Sequence, residues 1–264
     1  MTLCIAATCL DEKNRPRMIV SSDWRTELGT LAAAEVQNKL YWLFKGSWCV
    51  LIAGTVPSAL RLLTTIGCSI NEKKLTRGNV EDQLSKAVLQ HRSKLVKLYV
   101  KSRHSVTFKY FRTHRQEFDK GKRAETESGI ENMQLGCVLL VCTFIKGTPF
   151  IFQVNEDCTV IREENFAAIG SGSEVANAIL CYRQQNDDLA VDETLYSVYE
   201  ATKFARRTKV PGVGKLHAFS VLSPGRKQRR LRKRGLRELS KCFDKYGPQK
   251  VKKVGLPKES WEQY

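Results

Sequence analysis

The stretch TLCIAATCLDEKNRPRMIVSSD, residues 2–23, decides how the rest of the chain is read. Thr2 to Cys9 is apolar, Asp11 to Arg17 is a polar turn segment containing Pro16, and Met18 to Ser22 is extended again. The chain therefore opens as a β-hairpin. A second strand pair comes next: Leu40 to Phe44, a Lys45-Gly46-Ser47 turn, and Trp48 to Ala53. A helix is expected from Pro57 to Ile66, with Thr55 as its cap and Leu60, Leu63 and Ile66 at helical spacing. Another is predicted over about Val80 to Val100, where Leu84, Val88, Leu95 and Tyr99 form one stripe.

Residues 103–134 are polar, basic and unpatterned, and read as an exposed insertion. Three strand candidates come next, 136–145, 148–154 and 157–162, and Gly170-Ser171-Gly172-Ser173 closes that region. Two helices are expected at 173–184 and 192–207, then a last strand at 215–222. Strands, two helices, strands, two helices, strand: this order, with short hairpin turns, indicates antiparallel sheets covered by helices and not β-α-β crossovers. The expected class is α+β, a four-layer α-β-β-α sandwich of two antiparallel sheets. Face-to-face sheets also explain why several strands are apolar on both sides. The expected organisation is one domain over 1–222 and a basic C-terminal tail over 223–264.

Composition sets bounds. The chain has 264 residues, ordinary apolar and charged fractions, and a formal charge of +17. Residues 226–264 hold 14 Lys/Arg against 4 Asp/Glu, so most of the excess is local to the tail. No apolar stretch approaches the ~20 residues of a membrane-spanning helix, and no membrane partner is expected. The apolar N-terminus lacks the basic start of a secretory signal. Nine cysteines, most inside apolar runs and none in a C-x-x-C pair, read as buried reduced thiols and point to the cytoplasm. His91, His104, His114 and His217 are scattered without metal spacing, so neither a metal nor another cofactor is expected.

One residue stands out chemically. Met followed by Thr is a good substrate for initiator-methionine removal, and an N-terminal Thr2 would carry a hydroxyl and a free α-amine together. The amine has a reference pKa of about 7.7–8.0, so it can accept the hydroxyl proton near neutral pH. Many chains begin Met-Thr without using it, and the case rests on residues further along the chain. Ser22-Asp23-Trp24-Arg25-Thr26 ends the first hairpin, Lys39 stands sixteen residues after Asp23, Ala53-Gly54 ends the second strand pair, and Phe166-Ala-Ala-Ile-Gly-Ser-Gly-Ser173 lies far downstream. Each motif alone is common.

In this order and at this spacing they resemble the proteasome β-subunit family of N-terminal-nucleophile (Ntn) hydrolases, over roughly residues 2–222. The resemblance implies a threonine-type peptidase or amide hydrolase. Thr2 would attack the scissile carbonyl, with its own amine taking the proton. Lys39 would lie beside the hydroxyl as an ammonium held by Asp23. The Gly54 N–H would face the oxyanion, and Ser171 would hydrogen-bond near the Thr2 amine. It further implies a homo- or hetero-oligomeric ring acting on peptide or protein substrates, and Ile52 and Val56 would line an apolar specificity pocket.

The sequence departs from that pattern before the last strand. The family's supporting Asp and Ser are replaced by Thr208-Lys-Val-Pro211-Gly212, leaving Ser173 and Thr208 as candidate substitutes. That departure keeps open a catalytically inactive scaffold subunit. A third reading, a nucleic-acid-associated protein acting through Arg226 to Lys241, is disfavoured because few aromatics interleave the charges. A solvated helical appendage, with Leu236, Leu239 and Phe243 docked on a neighbour, or contact with an acidic protein partner, fits the tail better.

Overall fold

A computed structural model describes residues 2–23, 26–28, 32–34, 39–208, 217–225, 227–247 and 261–263. The opening hairpin is β1 (Cys4–Leu10) and β2 (Pro16–Asp23), antiparallel in the register Cys4↔Ser22 to Leu10↔Pro16. After it come the short pair β3 (Thr26–Leu28) and β4 (Ala32–Ala34), then β5 (Leu40–Leu43) and β6 (Trp48–Gly54). Helices α1 (Val56–Ser69) and α2 (Val80–His104) succeed them. Next are α3 (Phe108–Thr113), α4 (Lys120–Glu131), and strands β7 (Cys137–Ile145), β8 (Thr148–Val154), β9 (Val160–Glu163) and β10 (Phe166–Ile169). The chain continues through α5 (Ser173–Tyr182), α6 (Val191–Arg207), β11 (His217–Ser223), β12 (Lys227–Leu231), α7 (Lys233–Tyr246) and β13 (Trp261–Gln263).

The strands form one sheet in the order β10-β1-β2-β11-β12-β13 and another in the order β5-β6-β7-β8-β9; every named strand pair is antiparallel. Alternation along β1 shows the layering. Cys4 and Ala6 enter a core shared with Cys49, Leu51 and Leu140 of the other sheet, while Ile5 and Ala7 face α5 and α6 through Ala176, Leu180 and Val198. Along β6 the partition repeats, with Cys49 and Leu51 inward and Val50 and Ile52 packed under α1 and α2. Two faces buried on each sheet make the four-layer α-β-β-α sandwich. Strands buried on both faces must be apolar at consecutive positions, which is how β1, β6 and β7 read.

Three segments differ from the sequence expectation. Residues 103–134 hold the end of α2 and the helices α3 and α4. Phe111 and Thr126 bury there, His104 stacks on Phe111 at 5.2 Å between centroids, and its Nε2 meets Thr126 Oγ1 at 2.8 Å. Only a few contacts seat these helices on α2, so no apolar stripe advertises them. The second difference is β10, which pairs with β1 although its four residues are not among the expected strands.

The third concerns the boundary at 222, which does not separate a body from an appendage. β12 extends the first sheet by pairing with β11, Ser220↔Arg230 to Ser223↔Lys227. Leu231, Leu239 and Phe243 join the core under α6. The helical spacing of Leu236, Leu239 and Phe243 thus docks the tail helix on its own domain and not on a neighbour, and its exposed charges lie outward.

Candidate functional site

Three strands place the site at one end of the first sheet. β1 lies between β10 and β2, and Cys4 pairs with both Ile169 and Ser22. Thr2, two residues before Cys4, is therefore flanked by the residue after Ile169 and by the end of β2. The Asp23 amide donates to the Leu3 carbonyl at 3.1 Å. On the other side Gly170 has φ +94°, and a Cβ there would lie 2.7 Å from the Thr2 carbonyl carbon. Only glycine allows this approach. Sequence reasoning singled out Ser171 but not Gly170, although the same Gly-Ser-Gly motif carries both.

Lys39 supplies the charge. It sits just before β5, where its carbonyl accepts from the Ile52 amide at 3.0 Å. Its ammonium donates to Asp23 Oδ1 at 2.9 Å and to Thr2 Oγ1 in a shorter bond. The Lys39 and Asp23 side chains are 5% and 0% exposed, and Thr2 is 3% exposed. Desolvating such a pair costs several kcal/mol per ion, and only well-placed hydrogen bonds offset that. Here the ammonium is shared between a carboxylate and a hydroxyl, so the pair also sets a positive charge on one side of an oxygen nucleophile. Ser171 Oγ donates to the Thr2 carbonyl at 3.4 Å, anchoring the backbone of the same residue.

Gly54 ends β6 with φ +96°, and a Cβ on it would crowd the Cys137 Cα and Gly136 oxygen at 2.9 Å each. Glycine is required there too. The strand end lies near the site because the Cys4 thiol donates to the Ile52 carbonyl at 3.6 Å. Of the five residues picked from the sequence, Thr2, Asp23, Lys39 and Ser171 form one bonded cluster, and Gly54 caps the strand whose Ile52 touches it.

Ile52 is fully buried under α1 and α2, because even-numbered β6 residues face the helices. One expectation is corrected. The Thr208 hydroxyl donates to the Phe204 and Ala205 carbonyls at the end of α6, so it is committed to the helix terminus. Residues 209–212, which complete the departure from the family pattern, lie outside the described residues. His217, read as a scattered histidine, is the cross-strand partner of Asp23 on β11. Nothing in its sequence context signals that neighbour.

Cys4 offers no rival nucleophile. Burial, and after it the Asp23 charge, hold its thiol far above the ordinary range, while the thiolate is the reactive form. Among the described residues no group of three or more His, Cys, Asp or Glu could hold a metal ion. Nor is any described helix long and apolar enough to cross a membrane.

Comparisons with known proteins bear on the fold that carries these residues. Residues 116–211 match the proteasome subunit family. Curated proteins give no sequence match. Among solved structures, Anbu, the ancestral β-subunit, from Yersinia bercovieri superposes with a TM-score of 0.59 at 16% identity, over 93% of this chain and 94% of that one. Eukaryotic HslV from Trypanosoma brucei gives 0.52 at 18% identity, over 84% and 99%. The helical assembly of the Anbu complex from Pseudomonas aeruginosa gives 0.55 at 15% identity, over 84% and 81%. The likeness read from the opening hairpin, Lys39 and Gly-Ser-Gly thus holds at the level of architecture: the chain has a proteasome-like fold, and its residues 116–211 match the proteasome subunit family.

Proposed function

We propose that the chain is a threonine-type peptidase or related amide hydrolase, with Thr2 as nucleophile once Met1 is removed. The observation that carries this reading is the buried Lys39 ammonium bridging Asp23 and Thr2 Oγ1. An ammonium that donates to Oγ1 stabilises negative charge developing there. It cannot also take the hydroxyl proton, so the proton goes to the α-amine that methionine removal would free. Gly54 is assigned the oxyanion donor, because a glycine at a strand end lets a carbonyl approach the backbone closely. Ser171 and Gly170 hold the Thr2 backbone while its side chain reacts.

An unselective peptidase needs its sites enclosed, and a closed ring of copies is the assembly we assign. Head-to-tail contacts close into rings or run on as helices, and the Pseudomonas aeruginosa Anbu complex was solved as a helical assembly. Nine free cysteines suit a reducing compartment, and we place the protein in the cytoplasm.

The test is intact-mass spectrometry and then exposure to an electrophilic peptide. The expected result is loss of the Met1 mass and one adduct on Thr2, absent in Thr2→Ala. Retained Met1, or no adduct on a chain lacking it, would favour the second reading, an inactive scaffold subunit. The observation behind that alternative is the Thr208 hydroxyl spent on α6 where the family has a residue supporting the nucleophile.

A further inference from the structure

The fold absorbs the apolar face of α7 and leaves a charged face outward. Along α7, Arg234, Arg237, Lys241 and Lys245 are all exposed and succeed one another at spacings of three, four and four residues. That spacing puts them on one line about 16 Å long at 1.5 Å per residue. The neighbouring helix adds to it: Lys203 and Arg206 of α6 converge with Arg237 on a concavity of about 250 Å³ between α6, β11 and α7. The acids on α7 are Glu238, which pairs with Lys241 at 3.0 Å, and Asp244. An exposed pair of that kind contributes little and is easily exchanged.

We infer that this α6–α7 face binds the phosphate backbone of nucleic acid without sequence preference. Two observations favour that partner over an acidic protein. Protein interfaces draw most of their energy from a few fully buried anchors seated in pockets, with aromatic rings prominent among them, and apart from Tyr246 the large apolar side chains of α7 are spent inward, with Leu239 0% and Phe243 2% exposed. What remains outward is a row of cations, which neutralises phosphates and gains from counterion release. A single exposed ring, Tyr246, lies at the end of the row with Lys245 over it at 4.9 Å, too little for a base-stacking platform. The contact is therefore to the backbone, which positions but does not read sequence.

The test uses the full chain and a fluorescein-labelled random duplex of about 30 base pairs, titrated by anisotropy from about 50 to 200 mM KCl. Arg234→Glu/Arg237→Glu is compared with Lys97→Glu/Lys101→Glu, an equal charge change on exposed positions of α2 in the opposite helix layer. Arg234→Gln/Arg237→Gln serves as the milder form, and thermal melts confirm that each variant folds. Expected are an affinity loss of about tenfold or more, and a salt slope shallower by about 2, for the α7 variants alone. Three results overturn the inference: no binding by the parent at the lowest salt, equal losses in the α2 control, or displacement of the duplex by poly-glutamate at matched charge. The last would assign the face to carboxylates of an acidic protein.

Discussion

Gly170→Ala tests how the site is held without touching any group assigned to the chemistry. The added Cβ would lie 2.7 Å from the Thr2 carbonyl carbon and 3.2 Å from its Cβ, with the carbonyl oxygen nearer still. Side-chain carbons essentially never approach other atoms within 3.0 Å, so the strand end must retreat by on the order of 1 Å. The φ of +94° adds a backbone cost of about 1–2 kcal/mol for any residue with a Cβ. At about 2–4 °C per kcal/mol for a domain of this size, Tm should fall by roughly 2–8 °C. A displacement of that size between hydroxyl and ammonium should slow reaction at Thr2 by about a hundredfold. The assay is the rate of adduct formation with an electrophilic peptide, read by mass spectrometry beside a calorimetric scan. Gly78→Ala is the control, since nothing lies within 4 Å of a Cβ there. A Gly170→Ala chain that melts and labels like its parent would refute the claim that glycine is required by the approach of Thr2.

Lys39→Ala should destabilise the fold by about 3–5 kcal/mol in urea unfolding, because it takes the ammonium away from a buried carboxylate. Lys39→Met combined with Asp23→Leu should recover most of that while remaining inert towards the electrophile, which separates the pair's cost from its use. In the hairpin turn, burial pushes the Asp11 carboxyl up, but bonds from Arg15 and the Lys13 amide and the charge of Arg17 outweigh it, and the group sits at about 2 instead of 3.8. A depressed carboxylate stabilises the fold above its unfolded value and loses that contribution as pH falls from 3.8 to about 2. Asp11→Asn should therefore flatten the acid limb of a stability–pH curve in that window, and an unchanged limb would refute the linkage. Alkylation of native protein should mark Cys68 and Cys181 first, since both are exposed. Cys142, pushed up to about 12 by burial, should react only after unfolding.

Much of the sandwich was legible because strands buried on both faces leave continuous apolar runs, and β1, β6 and β7 are such runs. The site was legible for a different reason: Asp23, Lys39 and the Gly-Ser-Gly turn sit at strand ends, where backbone geometry fixes their spacing. The features that escaped have little apolar signal. α3 and α4 bury only Phe111 and Thr126 between them, so their helical character rests on caps such as Thr107 and Asp119 and not on periodicity. β12, Lys-Gln-Arg-Arg-Leu, looks like a charge run because only Leu231 is buried among its described side chains. Gly170 was overlooked beside Ser171 because a glycine's role there is set by a residue 168 positions earlier, a contact that no local pattern encodes. The facing of Ile52 was not legible either, because strand parity is fixed by the β6–β7 register only once both strands are placed.

The central position of β1 has a consequence for timing during synthesis. β1 is made long before its partner β10 and, through β2, before β11, and Cys4 cannot meet Ile169 until that later stretch has been made. Pairings between such distant segments form late. Until then the segment around position 2 is open and unpaired, whereas in the finished fold position 2 is closed in. On the proposed function, removal of Met1 would belong to that early window, and the amine so released would find its place only when β10 and β11 arrive.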